Sequence, residues 1–428
     1  MKLPEGFFIG AATAAHQVEG NNIHSDYWAQ EQMPHSSFAE PSGSACDHYN
    51  RYEEDIRLLA GAGLNAYRFS VEWARIEPEE GRFNEKEIDH YCAVIRFCRE
   101  QGVEPIVTLH HFTSPLWLIR KGGWEAESTV EDFRHYAEYT AEKLGNGLRY
   151  VCTINEANMG LQLAAIAKRF RLMARQAAAK QAEGTVQVGM NFEKMMENMK
   201  FAAAENASVF GTPQPQIFVS SRTPEGDALV FRAHRAARDA IRAVCPWIRV
   251  GVTLSMHDCQ ALPGGERAAG AAWDEEFRHY LPWLEGDDFL GVQNYTRTLY
   301  GPEGQLPAPE GAELTQMEYE FYPEALEHVL RRVHEDFPGD LLVTENGIAT
   351  SDDRRRVEFL HRALSGVERC VGDGIPVRGY CHWSLLDNFE WQKGYAMTFG
   401  LIAVDRATQT RMPKESLNVL GSYAENKK

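Results

Sequence analysis

Tyr150-Val151-Cys152-Thr153-Ile154 is a short apolar run that stops on Asn155-Glu156. A run of this length, bounded by longer segments of helical period, reads as a β-strand inside a βα unit. The pattern recurs along the chain. Eight strands are expected, near residues 7–11, 66–70, 104–110, 150–155, 250–255, 289–294, 341–345 and 377–383. The segments between them carry helix patterns. From Ser128 to Leu144, for example, Ser128 is placed to cap and Val130, Phe133, Tyr136, Ala137 and Leu144 form one face. Strands alternating with helices, without a break in composition, give an α/β class: a single (β/α)8 TIM barrel, one domain over residues 1–428.

The ends of those strands carry the chemistry. Strand two closes on Tyr67-Arg68-Phe69-Ser70, strand three on His110-His111 and strand four on Asn155-Glu156. Strand six closes on Gln293-Asn294-Tyr295, strand seven on Thr344-Glu345-Asn346-Gly347 and strand eight on His382-Trp383. In such a barrel the C-terminal strand ends open onto one face, where active sites are built. A single polar strand end is noise, and a lone strand-end Glu is often an ion-pair partner. Two glutamates capping strands four and seven of one barrel are a different matter. Glycoside hydrolysis with retention needs one carboxyl to protonate the leaving oxygen and a second, about 5–5.5 Å away, to attack the anomeric carbon. Asn155 and Asn346 flank the two glutamates, and such amides can donate to a sugar hydroxyl.

Bulk properties narrow the partners. The 61 acidic and 44 basic side chains leave a net charge of −17, which repels nucleic acid and anionic membrane, so neither is an expected partner. No secretory signal and no apolar run of membrane-spanning length is visible. The eight cysteines show no zinc or redox spacing and read as buried free thiols of a cytoplasmic protein. His110 and His111 adjoin, but neighbours on a strand point to opposite faces, so one of them lines a pocket and a metal pair is not expected. Asp387 and Glu390 stand near Lys393, a possible ion-pair partner for either. Residues 158–248, rich in Ala, Met and Lys, read as an enlarged excursion after strand four lying over the mouth.

Six stretches in order resemble glycoside hydrolase family 1, the β-glucosidase family. They are Phe7-Phe8-Ile9-Gly10-Ala11-Ala12-Thr13-Ala14-Ala15-His16-Gln17-Val18-Glu19-Gly20, Tyr67 to Pro78, and Thr108-Leu109-His110-His111-Phe112. Cys152-Thr153-Ile154-Asn155-Glu156-Ala157-Asn158, Val343-Thr344-Glu345-Asn346-Gly347 and His382 to Trp391 follow. The resemblance implies Glu345 as nucleophile and Glu156 as acid/base. It implies Gln17, His111, Asn155, Glu390 and Trp391 on the hydroxyls of the glycone, Trp383 as the aromatic floor beneath that ring, and Phe399 near its C6 end. Arg68 and Tyr295 would neighbour the nucleophile. It implies no metal and no organic cofactor, and small β-glucosides or oligosaccharides as partners. Galactosyl and fucosyl residues are expected to be tolerated beside glucosyl ones.

Three positions depart from the family pattern. Ala157 replaces the usual Pro behind the acid/base, Gln293 the usual Asn of strand six, and Thr398 a basic residue. The excursion lacks the family's aromatic-rich loops. A 6-phospho-β-glucosidase usually replaces the hydroxyl-binding Glu by a small residue, but Glu390 is present. A catalytically inactive carbohydrate-binding relative usually loses a catalytic Glu, but both are kept. A transglycosylase would use the same two glutamates.

Overall fold

The computed structural model describes residues 3–166 and 189–425. Eight strands close a barrel: β1 Phe8–Ala12, β2 Ala66–Ser70, β3 Glu104–His110, β4 Tyr150–Ile154, β5 Arg249–Ser255, β6 Phe289–Gln293, β7 Asp340–Asn346 and β8 Val377–Trp383. Each falls on an expected run to within a residue or two. All neighbours pair in parallel, in the order β1-β8-β7-β6-β5-β4-β3-β2. Every residue of β2, β3 and β6 is buried. Covered on both faces, these strands need the continuous apolar runs that made them legible.

The outer layer is helical: α1 His48–Gly61, α2 Glu85–Glu100, α3 Ser128–Leu144, α4 Phe192–Phe210, α5 Pro224–Val244, α6 Glu266–Glu276, α7 Ala325–Asp336, α8 Asp353–Gly372 and α9 Glu415–Glu425. In α3 the buried residues Phe133, Tyr136, Ala137, Thr140, Ala141 and Leu144 recur at helical spacing and face inward. Ser128 does not cap it. The flanking residue is Glu127, with no side-chain cap, and Ser128 is the first helical residue. α5 begins properly: the Thr223 hydroxyl accepts from the Gly226 N–H, and Pro224 supplies a fixed φ in the first turn. It packs on α3, β4 and β5 and is therefore the ordinary crossover helix from β4 to β5.

The excursion expected over 158–248 is accordingly shorter, because its last part is this crossover helix. The part of that excursion expected over residues 167–188 lies outside the described residues. α4 docks on the loop after β1: Lys194 Nζ donates to the Phe38 carbonyl at 2.8 Å, and the His35 ring stacks on Phe201 with centroids 3.7 Å apart. Among the described residues no helix is long and apolar enough to cross a membrane.

Candidate active site

The barrel mouth is shaped by the backbone. Between β6 and β7 the register slips, so that Val343 pairs with Val292 but Glu345 with Gln293. Such a slip locally re-aims a side chain. Gly347 then lets the end of β7 lie on β8, because a Cβ there would sit 1.9 Å from the Trp383 carbonyl oxygen. The result brings Glu345 and Trp383 to one pocket, lined by His111, Phe112, Glu156, Tyr295, Glu345, Trp383, Glu390, Trp391 and Phe399.

Glu345 is held on both oxygens. Arg68 Nη1 donates to Oε1 at 2.6 Å and the Tyr295 hydroxyl donates to Oε2 at 2.6 Å. Arg68 is buried inside the barrel and also donates through Nη2 to Asn155 Oδ1 at 2.6 Å and through Nε to Thr108 Oγ1 at 3.1 Å. Asn155 Oδ1 accepts two more bonds, from Gln293 Nε2 at 2.9 Å and Thr253 Oγ1 at 3.1 Å. Its Nδ2 lies 3.2 Å from His111 Nε2. Asn155 is thus occupied beneath His111, in the layer that fixes the pocket floor.

Glu156 is set differently. Its backbone is left-handed, φ +46°, a conformation costing about 1–3 kcal/mol in a non-glycine residue. Thr253 holds it there, accepting the Glu156 N–H on Oγ1 at 2.9 Å and the Ala157 N–H on its carbonyl at 3.0 Å. That second bond is one a Pro at 157 could not make, so the chain behind Glu156 stays tied despite the departure. The carboxyl itself is buried, and Oε2 meets no donor among the described residues.

The electrostatics follow from this asymmetry. Burial raises both carboxyls above the ordinary Glu range. Glu345 is drawn back by the charge and hydrogen bond of Arg68 and by bonds from Tyr295 and Gln293. Glu156 has no such bonds, and the Glu345 charge pushes it up further, well above the usual value. The proton therefore rests on Glu156. Burial and the nearby Glu345 also push Glu390 up to about 8. His111 is driven well below its normal value, first by burial and then by Arg68, and stands neutral.

Aromatic rings form the other walls. His111 stacks on Trp383 at 5.7 Å between centroids and on Trp391 at 6.1 Å, and Phe399 meets Tyr295 edge-on at 6.1 Å. Gln17 reaches the pocket through Glu390, donating from Nε2 to Glu390 Oε2 at 3.3 Å and to the Phe389 carbonyl at 2.7 Å, with Oε1 unpartnered among the described residues. Of the residues singled out in the sequence, Glu156, Glu345, His111, Tyr295, Trp383, Glu390, Trp391 and Phe399 line the pocket. Gln17, Asn155, Arg68 and Gln293 stand directly behind them.

Some sequence readings are corrected. Asn346 turns away: its Nδ2 donates to the Asn294 carbonyl at 2.6 Å and its Oδ1 accepts from the Tyr380 hydroxyl at 2.9 Å. Asp387 pairs with Lys414 at 2.8 Å and not with Lys393, which leaves Glu390 to the pocket. His110 sits behind the wall, its Nε2 3.0 Å from Ser114 Oγ. Two contributors were missed. Phe112, φ +70°, lines the pocket one residue past the His pair. Gly189 lies against Glu390, so that a Cβ there would come within 2.5 Å of the Glu390 carbonyl oxygen and 3.0 Å of its Cγ. Position in a motif-bearing stretch could have flagged Phe112, but nothing local marks Gly189.

With this geometry in hand, comparison with known proteins is specific. A profile described as glycosyl hydrolase family 1 matches residues 1–178 and 287–428. Beta-glucosidase A of Thermotoga maritima is 30% identical over 451 residues, which cover 97% of this chain and 96% of that protein. The bifunctional beta-D-glucosidase/beta-D-fucosidase of Bifidobacterium breve is 28% identical over 466 residues, covering 98% and 97%. Among solved structures, beta-glycosidase BGL167 matches with a TM-score of 0.87 at 46% identity, over 99% of this chain and 97% of that one. The profile's two blocks carry every strand end that lines the pocket and skip the stretch that holds α4 and α5. By sequence profile and by barrel alike, the chain belongs to glycosyl hydrolase family 1.

Proposed function

We propose that this protein is a retaining β-glucosidase that removes terminal non-reducing β-D-glucosyl residues, tolerates galactosyl or fucosyl ones, and works in the cytoplasm as one catalytic unit. The observation that carries the reading is the unequal treatment of two carboxyls in one pocket. Glu345 is bonded on both oxygens, and Glu156 Oε2 meets no donor among the described residues. Beta-glucosidase relatives that match almost end to end support the substrate class. Eight cysteines, all free, support a reducing compartment.

The ionised Glu345 attacks the anomeric carbon while Glu156 delivers its proton to the glycosidic oxygen, and the C–O bond to the aglycone breaks. A covalent glycosyl-enzyme forms with inversion at carbon. Glu156, now a carboxylate, takes a proton from water as that water displaces Glu345, and the second inversion restores the β configuration. Arg68 stabilises the carboxylate that leaves in this step, and general acid/base assistance contributes roughly 10²–10⁴-fold. Trp383 offers a flat apolar face to the ring, and Gln17 and Glu390 together can bracket neighbouring hydroxyls.

The test is hydrolysis of aryl β-glucoside, β-galactoside and 6-phospho-β-glucoside, with the anomer first released followed by proton NMR. Activity on the unphosphorylated sugars, release of the β-anomer, and loss by about 10⁴-fold or more in Glu345→Gln are expected. Activity confined to the phosphorylated sugar, or an α-anomer released first, would sink the reading.

A further inference from the structure

Glu156 keeps its left-handed backbone at the start of a turn, and such a conformation persists only where its surroundings over-determine it. Thr253 supplies one side of that restraint. The other side comes from Arg222, two residues before α5. Its Nη1 donates to the Ala157 carbonyl at 3.3 Å, and its backbone N–H donates to the Gly160 carbonyl at 3.3 Å. Ala157 lacks the fixed φ that a Pro would bring, so the bonds to its N–H and its carbonyl carry that restraint. Arg222 fits here because residue 160 is glycine: a Cβ there would sit 2.6 Å from Arg222 Cγ and 2.7 Å from Cδ.

The same guanidinium reaches the wall of the sugar pocket. Nη2 donates to the Phe218 carbonyl at 2.5 Å, and Cζ lies 4.2 Å from the centroid of the Phe218 ring. Phe218 stacks in turn on Phe112, a pocket residue, with centroids 5.9 Å apart. One planar fork thus fixes the residue next to Glu156 relative to Phe112.

Burying a charge is costly unless it is paired, and Arg222 is only 5% exposed. Its Nε meets no acceptor among the described residues. The carboxylates that favour its charge, Asp227 and Glu125, are engaged elsewhere. Asp227 accepts from the Tyr280 hydroxyl at 3.1 Å, and Glu125 accepts from the Thr223 N–H at 2.8 Å. Burial pushes the guanidinium pKa down to about 10, so it remains a cation at neutral pH. Its side-chain donors go to main-chain carbonyls, one of them directly behind the acid/base.

We propose that Arg222 is a positioning residue for general acid catalysis, holding the Glu156 turn so that the carboxyl meets the departing oxygen. The proposal rests on the glucosidase reading above and adds to that same site a residue that acts through Glu156.

The experiment measures kcat/KM of the full-length enzyme on dinitrophenyl β-D-glucoside and benzyl β-D-glucoside. The first leaving group departs without a proton and the second needs one, so the benzyl-to-dinitrophenyl ratio reads acid assistance. That ratio is independent of the fraction of enzyme folded. In Arg222→Met, which keeps an unbranched stem and removes the donors, the ratio should fall by about tenfold or more. In a Glu156→Ala background the same substitution should leave the ratio where Glu156→Ala alone puts it, because effects that pass through one carboxyl do not add. An unchanged ratio in Arg222→Met would overturn the proposal, as would a further fall in the Glu156→Ala background. A Glu156→Ala enzyme with the wild-type ratio would overturn the acid assignment itself, and the role of Arg222 with it.

Discussion

Arg68 and Tyr295 each donate to one oxygen of Glu345 at 2.6 Å, and the consequences reach into the pH profile. The Tyr295 bond lowers the Glu345 pKa, so removing it in Tyr295→Phe raises that pKa. The nucleophile must be ionised to react, so the acid limb of the kcat/KM profile should move to higher pH while the basic limb, set by Glu156, stays near its place. An unmoved acid limb would mean that Arg68 alone sets the charge. Glu156 makes its contribution only where a proton has to be delivered. Glu156→Ala should therefore slow alkyl glucosides by roughly 10²–10⁴-fold and activated aryl glucosides much less in the glycosylation step, read from kcat/KM for each. Equal losses on both would show that Glu156 is not the acid. At this scale the sequence was informative because catalysis needs particular residue types at strand ends. It misled where only packing decides direction. Asn346 is as polar as Asn155 and as close to a catalytic glutamate, yet it turns to Asn294 and Tyr380.

Between elements, legibility depended on burial. The eight strands were readable because both faces are covered and their composition is forced. The short rim strands after β5 and β6, Asp258–Ala261 and Arg297–Gly301, which pair in parallel with each other, were not, since strands at the rim carry no such constraint. The stretch after β4 was the least legible. Its contact with the site runs through Gly189, which lies against Glu390, while Gln392 donates its backbone N–H to the Gly189 carbonyl at 2.9 Å. The Gly189 N–H also bonds to Glu390 and lowers its pKa. No local pattern marks a glycine whose importance lies 201 positions away, as in the neighbouring Asn191–Gln392 bond. Gly189→Ala should displace Glu390 and raise KM for glucosides about tenfold with a smaller change in kcat, because Glu390 binds hydroxyls and takes no part in bond breaking. A KM unchanged from wild type would show that the two segments yield to each other without moving the carboxyl.

A barrel of eight strands must also close its ends, and here the first and last parts of the chain meet through charge. Asp55 on α1 accepts from Arg411 on both oxygens, at 2.7 and 2.9 Å, and lies 2.7 Å from His48 Nδ1. The Tyr67 hydroxyl stands 3.0 Å from His48 Nε2 and 2.6 Å from Thr13 Oγ1, so the network runs from the antiparallel pair Ile402–Val404 and Arg411–Pro413 through α1 to β2 and the end of β1. Asp55 and Arg411 are almost wholly buried. Burial acts to raise the Asp55 pKa, but the bonds from Arg411 and His48 outweigh it and hold the carboxyl below the usual aspartate value. Replacing a buried ion pair with matched apolar groups can be neutral, whereas removing one partner strands the other charge and costs about 3–5 kcal/mol. Asp55→Asn should therefore lower the urea midpoint clearly at neutral pH, with little effect on KM of the remaining folded enzyme. The sign with pH is fixed by the depressed pKa. The contribution of Asp55 is complete above the unfolded value of about 3.9 and fades only as pH falls through the lower folded value. The gap between wild type and Asp55→Asn should thus stay constant from neutral pH down to about 4 and narrow only below it. A gap that narrows well above pH 4 would show that the Asp55 carboxyl is not held below the usual aspartate value, and no gap at all would mean that apolar packing alone joins the two ends.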